Sequence, residues 1–215
     1  MAFAGWPAEA LEFYEGLEAD NTRSYWLAHR EVYETQVRGP MDELLAELAP
    51  EFGEPKVFRP YRDVRFSKDK SPYKTAIAAR LGDGYVQLSA RGLAAGTGMY
   101  QMAPGQLERY RQAVAADVPG GELQRVVSAI RERGIEVHGR EVLKTAPRGF
   151  PADHERIDLL RCKGLIAWQE WPAAAWLGTP EARQRVAGFL TAARPLAHWL
   201  ADHVGPPAEA ERRSR

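Results

Sequence analysis

The sequence predicts an α+β fold: an antiparallel sheet of roughly four to six strands packed against N-terminal and C-terminal helices. Three observations carry this reading. Apolar residues recur at helical spacing through the first fifty residues. Residues 57–99 instead alternate apolar and polar, punctuated by Gly82-Asp83-Gly84, a hairpin signal. Helical spacing returns after Pro104 and again at the C-terminus, with extended stretches between. Helices, then strands, then helices with late strands is not the regular alternation of a parallel βαβ sheet.

Pro7 suits a first helical position, and Leu11, Phe13, Tyr14 and Leu17 follow as the apolar face. Asp20, Asn21 and Thr22 are good N-cap residues for a second helix, with Trp26, Val32 or Tyr33, and Val37 as its stripe. Gly39-Pro40 is expected to break that helix, and residues 41–53 to form a third. Residues 57–66 read as a strand with Phe58, Val64 and Phe66 on one face and Arg59, Tyr61, Asp63 and Arg65 on the other. Pro60 cannot donate to a ladder, which places an edge or bulge near its start. Residues 67–74 are a loop. Three extended segments follow as a meander, with Val86, Leu88 and Ala90 sharing a face and the glycines of 92–98 marking a bulge or close backbone approach.

A helix is predicted from Pro104. Another carries Leu123, Val126, Val127 and Ile130 inward and stops at Gly134. Residues 135–143 read as extended with a turn near His138-Gly139 and 165–171 as a strand, with a short helix between them starting near Ala152. Thr179, Pro180 and Glu181 open a terminal helix that Pro195 kinks or splits. No linker divides the chain, so residues 1–204 are expected as a single domain and 205–215 as a disordered tail.

The chain carries 29 basic and 29 acidic residues, a formal net charge of +0, which argues against general affinity for nucleic acid or acidic membranes. No run reaches the roughly 18 apolar residues of a membrane span. One cysteine, Cys162, excludes an intramolecular disulfide and fits a cytoplasmic setting. It reads as a buried small hydrophobe rather than a nucleophile. No cofactor and no metal site are expected, for no second His/Cys pair has ligand spacing. There is no Gly-x-Ser-x-Gly elbow, and Gly96-Thr97-Gly98 is not followed by the lysine of a phosphate loop. Trp168, Trp171 and Trp176 are read as core residues in preference to the lining of a groove.

Charge is concentrated in one place, FRPYRDVRFSKDKSPYKT at 58–75. Arg59, Arg62, Arg65, Lys68, Lys70 and Lys74 are opposed only by Asp63 and Asp69, and Phe58, Tyr61, Phe66 and Tyr73 lie between them. Guanidinium forks match carboxylate and phosphate oxygens, lysines add point charges, and Ser67, Ser71, Tyr73 and Thr75 add hydroxyl donors. The expected ligand is a small anion, a nucleotide or another phosphorylated metabolite foremost. The expected ligand set is Arg59, Arg62, Arg65, Lys68, Lys70, Tyr73, Lys74 and Arg148, converging with the 144–158 segment on one pocket. His154 and Asp158, four apart, would share a helix face as acid or base and its orienter, and Asp63 is a third catalytic candidate. Against this stand two structural readings: His154 or Asp153 capping a helix while Asp158 pairs with Arg161, and the basic residues tied up in ion pairs. Asp63, Asp69 and Lys70 match no nuclease spacing. The alternative function, ranked second, is a nucleic-acid or protein interaction module using the same basic surface, with Tyr61 and Tyr73 for stacking.

The segment 58–75 resembles the hallmark of a broad bacterial and fungal family, domain of unknown function 2461. LEFYEGLEADNTRSYWLAHREVYETQV resembles that family's N-terminal segment, and LKTAPRGFPADHERIDLLRCKG its second hallmark. The likeness covers nearly all of residues 7–204. It singles out Asn21, Arg23 and Trp26; Arg59, Arg62, Asp63, Arg65, Lys68, Asp69, Lys70, Tyr73 and Lys74; and Pro147, Arg148, Gly149, His154, Asp158 and Leu160. Tyr25-Trp26 departs mildly from the family pattern. The resemblance implies positions and no reaction.

Overall fold

The computed structural model describes residues 2–65 and 68–208. Helices α1 (Ala8–Ala19), α2 (Arg23–Ala28), α3 (Arg30–Val32) and α4 (Gly39–Phe52) precede strands β1 (Pro55–Val57), β2 (Ala76–Leu81), β3 (Gly84–Ser89) and β4 (Gly92–Met99). Helices α5 (Pro104–Ala115) and α6 (Asp117–Glu132), strand β5 (Glu136–His138), the short α7 (Ile157–Leu160), strand β6 (Leu165–Pro172) and α8 (Glu181–His203) complete the order. The strands form one six-stranded sheet in the order β1-β2-β3-β4-β6-β5, and the α+β expectation holds.

The chain divides into two compact units. The first holds Met1–Ala95 and Glu170–Leu190; the second holds Gly96–Gln169 and Thr191–Arg215. In the first, the α1 face of Phe13, Tyr14 and Leu17 is buried, with Trp26, Tyr33, Val37, Met41, Leu44 and Leu48 continuing the apolar stripe. Val32 is not part of it. Thr22 caps α2 by accepting from the Tyr25 amide at 3.2 Å, while Pro7 sits just outside α1 instead of within it. Gly39-Pro40 does not break the helical run. The chain widens into a π turn at Tyr33–Arg38, and Pro40 falls in the first turn of α4, where its missing N–H leaves no ladder bond unmade. Gly53, at φ 100°, then ends α4, which lies against β1 and β2.

The β2–β3 hairpin turns through Gly82 and Asp83, with Leu81 opposite Gly84. Gly82 has φ 54°, and a Cβ there would lie 2.0 Å from the Phe52 carbonyl oxygen, so both conformation and space demand glycine. Val86 and Leu88 point inward as expected, while Ala90 falls in the turn after β3.

In the second unit α5 packs on α6, and α6 on β5. Leu123, Val127 and Ile130 are buried, whereas Val126 is only half-buried. The glycines of β4 do mark close approach: Gly96 faces the Trp168 indole, and Gly98, at φ 113°, faces the Leu165 carbonyl. Helix α8 runs unbroken past Pro195, so no split occurs. Just beyond it, the Gly205 and Pro206 carbonyls accept from Gln106 at 2.7 Å and Arg109 at 2.8 Å. Residues 209–215 of the expected tail lie outside the described residues, as do Phe66 and Ser67 of the basic segment. Among the described residues no helix is long and apolar enough to cross a membrane.

Candidate functional site

The strand predicted over 57–66 does not form: β1 lies at Pro55–Val57 and shares only Val57 with it. Backbone pairing continues irregularly beyond it. The Phe58 amide donates to the Ala78 carbonyl at 2.9 Å, Lys74 to Pro60 at 2.8 Å, and Arg62 to Pro72 at 2.9 Å, around a Tyr61–Tyr73 bridge. Residues 58 to 60 thus face residues 74 to 78, a bulge of two extra residues beside Pro60, which has no amide hydrogen to give. The expected alternation survives in exposure: Arg59, Tyr61, Asp63 and Arg65 are exposed, and Phe58, Arg62 and Val64 are half-buried.

The returning arm of this hairpin is anchored from below. Asn21 donates from Nδ2 to the Tyr73 carbonyl at 3.1 Å and accepts from the Tyr73 amide at 3.0 Å, a two-bond bracket. The Tyr73 ring is buried and stacks on buried Trp26, centroids 4.5 Å apart and planes 6° from parallel. Tyr61 rests beside both rings, 6.1 Å from Trp26 and 5.5 Å from Tyr73, yet is 50% exposed. The basic segment therefore stands on an aromatic floor.

The cations of this segment fall into two groups. Arg65 grips Asp63 through two bonds, Nε to Oδ1 at 2.9 Å and Nη2 to Oδ2 at 2.7 Å. Arg62 pairs with Asp69, which also accepts from the Ser71 amide at 2.9 Å and the Ser71 hydroxyl. Lys70 donates to the Val64 carbonyl at 3.0 Å. These contacts shape the loop. The second group is different. Among the described residues, neither Arg59, Lys68 nor Lys74 forms an ion pair with a carboxylate. Lys74 is half-buried, its ammonium 5.8 Å from the centre of the Phe58 ring. Burial, and then the positive charge of Arg59, push the Lys74 pKa below its usual value. Two further cations went unnoticed in the sequence. Lys56 and Arg80 are direct cross-strand partners on β1 and β2, and both are exposed. Like charges in that position oppose each other. Their juxtaposition depends on the β1–β2 register, which the sequence does not reveal.

The carboxyl of Asp63 is held down at about 2, first by the Arg65 side chain and then by the Arg65 backbone amide. Because the folded value lies below the ordinary 3.8, the stabilisation from this pair is present above about pH 4 and disappears as pH falls through about 2. A carbon-13 NMR titration of the Asp63 carboxyl is expected to give a midpoint near 2, and Arg65→Gln to move it up toward the ordinary value. A wild-type midpoint near 4 would show that the pair does not persist in solution.

Arg148, His154 and Asp158 belong to the second unit, the basic segment to the first. Pro147-Arg148-Gly149-Phe150 is a turn closed by the Phe150 amide on the Pro147 carbonyl at 3.2 Å, with Gly149 at φ 89° and Arg148 exposed. That geometry accounts for the glycine. The short helix expected from near Ala152 starts later, as α7 at Ile157. Successive turns reach only α7, because His154 accepts from the Arg156 amide at Nδ1, 2.9 Å, and from the Ile157 amide at its carbonyl, 2.9 Å. His154 lies ahead of α7, whose N-cap is Arg156 with no side-chain capping bond, and it does not share a helix face with Asp158, whose carboxylate lies 3.8 Å from Arg161. Cys162 is buried and donates to the Asp158 carbonyl, and burial raises its pKa. Among the described residues no group of three His, Cys, Asp or Glu side chains is placed to hold a metal. A shallow depression lined by Arg131, Gly134, Ile135, Glu136, Val137 and His138 contains none of the residues selected from sequence.

The fold and site define an α+β protein whose first unit displays a basic hairpin on an aromatic floor. A family model described as "Conserved hypothetical protein (DUF2461)" matches residues 9–199, and the chain belongs to that family. No curated protein matches it. Among solved structures, a conserved hypothetical protein from Pyrococcus furiosus is similar at 16% identity and a TM-score of 0.36, over 78% of this chain and 97% of the other.

Proposed function

We propose that the first unit binds a small anionic, phosphate-bearing ligand, with Arg59 and Lys74 as its principal cations and Lys56, Lys68 and Arg80 as a surrounding positive field. The observation that carries the reading is the uncompensated charge. A half-buried lysine beside an arginine, with no ion-pair partner of its own among the described residues, costs free energy in the unliganded protein. A bound phosphate relieves that cost and accepts charge-assisted hydrogen bonds from both. Arg62, Arg65 and Lys70 shape the loop that carries these two. The neutral whole-chain charge favours a discrete ligand over a broad nucleic-acid surface.

The test is a melting-temperature screen with phosphate, pyrophosphate and sugar phosphates against sodium chloride of equal ionic strength. At a hundredfold excess over Kd, ligand linkage raises the melting temperature by roughly 5 °C or more. Lys74→Ala and Arg59→Ala are expected to lose that rise, and Arg65→Ala to keep it. No rise with any anion, or an undiminished rise in Lys74→Ala, would contradict the proposal.

A further inference from the structure

We infer that the ligand carries an aromatic ring as well as its phosphate, and that it is a nucleotide whose base stacks on Tyr61 while its phosphate meets Arg59 and Lys74. This rests on the anion site proposed above and adds the class of ligand. Tyr61 is half-exposed, although two of its neighbours, Trp26 and Tyr73, are 4% and 5% exposed. The ring therefore leans, tilted by 50° and 44°, against two buried rings while half of the residue's surface stays open. Its support is rigid: Trp26 and Tyr73 stack nearly parallel, and Asn21 brackets the Tyr73 backbone. An aromatic ring already fixed in place loses little entropy on receiving another ring.

Position supplies the second half. Arg59 and Tyr61 are two residues apart and both exposed. Pro60 forms a bend between them, so their backbones lie at most roughly 7 Å apart. A nucleotide can bridge a separation of that order between its base and its 5′-phosphate. The backbone bond from Lys74 to Pro60 sets Lys74 across the hairpin from the residue between Arg59 and Tyr61. A cation pair and an open ring thus share one short stretch of hairpin. Stacking of this kind tolerates any base, so purine nucleotides are expected to exceed pyrimidine nucleotides by ring area alone.

Calorimetric titration of the full-length protein with AMP, UMP, ribose 5-phosphate and inorganic phosphate separates the two claims. AMP is expected to bind about 5- to 100-fold tighter than ribose 5-phosphate. Tyr61→Ala is expected to remove that advantage without weakening ribose 5-phosphate, and Tyr61→Phe to restore it. Arg59→Ala should weaken all of them. If ribose 5-phosphate binds as tightly as AMP, or Tyr61→Ala weakens both equally, the stacking inference is overturned and the anion site stands. If none of the four binds, both fall together.

Discussion

Trp26→Ala is expected to destabilise the first unit by about 3–5 kcal/mol, the cost of emptying a buried tryptophan site. For a chain of this length that corresponds to a fall in melting temperature of roughly 6–20 °C. Trp26 is 4% exposed and touches Phe13 at 5.8 Å, Tyr33 at 4.7 Å and Tyr73 at 4.5 Å between ring centroids. Its removal leaves a void among rings that come from separate segments, so no one side chain can move in to fill it. Tyr33 and Tyr73 each lose a packed face. A double-mutant cycle with Tyr73→Leu is expected to show a coupling of about 0.5–1.5 kcal/mol, the range for an aromatic pair beyond its buried area. Denaturant midpoints measure both. A loss below about 1 kcal/mol in Trp26→Ala would mean that the floor beneath the basic hairpin is not rigid.

Arg156→Met is expected to cost about 3 kcal/mol or more in the second unit. Arg156 is 5% exposed, a rare position for an arginine. Its Nε donates to the Val114 carbonyl at 2.7 Å and its Nη2 to the Ala115 carbonyl at 3.1 Å, at the C-terminal end of α5, where helix carbonyls lack intrahelical partners. Charge-assisted bonds of this kind contribute about 1.5–3 kcal/mol each. Glu155 lies 2.6 Å from the guanidinium and Asp117 3.7 Å. Gly120 makes the room: a Cβ there would stand 2.6 Å from Nε and 2.2 Å from the Val114 oxygen. Gly120→Ala should therefore reproduce part of the loss, and Arg156→Lys should recover little of it, since an ammonium lacks the planar fork. A midpoint unchanged in Arg156→Met would refute the helix-end role.

The layout of helices and strands was legible because local signals agree with it. Thr22 caps a helix, Pro104 starts one, Gly53 and Gly134 end two, and Gly82-Asp83 turns a hairpin. Expectations failed where a local rule met a longer-range one. Gly39-Pro40 carries a breaker signal, but a π turn absorbs it. Residues 152–156 form turns ahead of α7, with His154 accepting from the Arg156 and Ile157 amides, so the helix starts later than its residues suggest. The basic segment is legible in composition alone. Its division was not, because Arg65–Asp63 and Arg62–Asp69 pairing depends on the loop's shape. The pairing of Lys56 with Arg80 depends on register, and the burial of Arg156 on where α5 ends. Neither leaves a periodic trace in the sequence.

On the proposed reading Arg59 and Lys74 receive a phosphate together, Lys74 having no ion-pair partner among the described residues. Pyrophosphate titrated calorimetrically into wild-type protein and the Arg59→Ala/Lys74→Ala double variant, at matched ionic strength, tests it most directly. Saturable 1:1 binding to the wild type is expected, weakening at least tenfold in the double variant and fading at high pH as Lys74 loses its proton, earlier than an ordinary lysine would. Absence of saturable binding to the wild type, or equal affinity in the double variant, would contradict it.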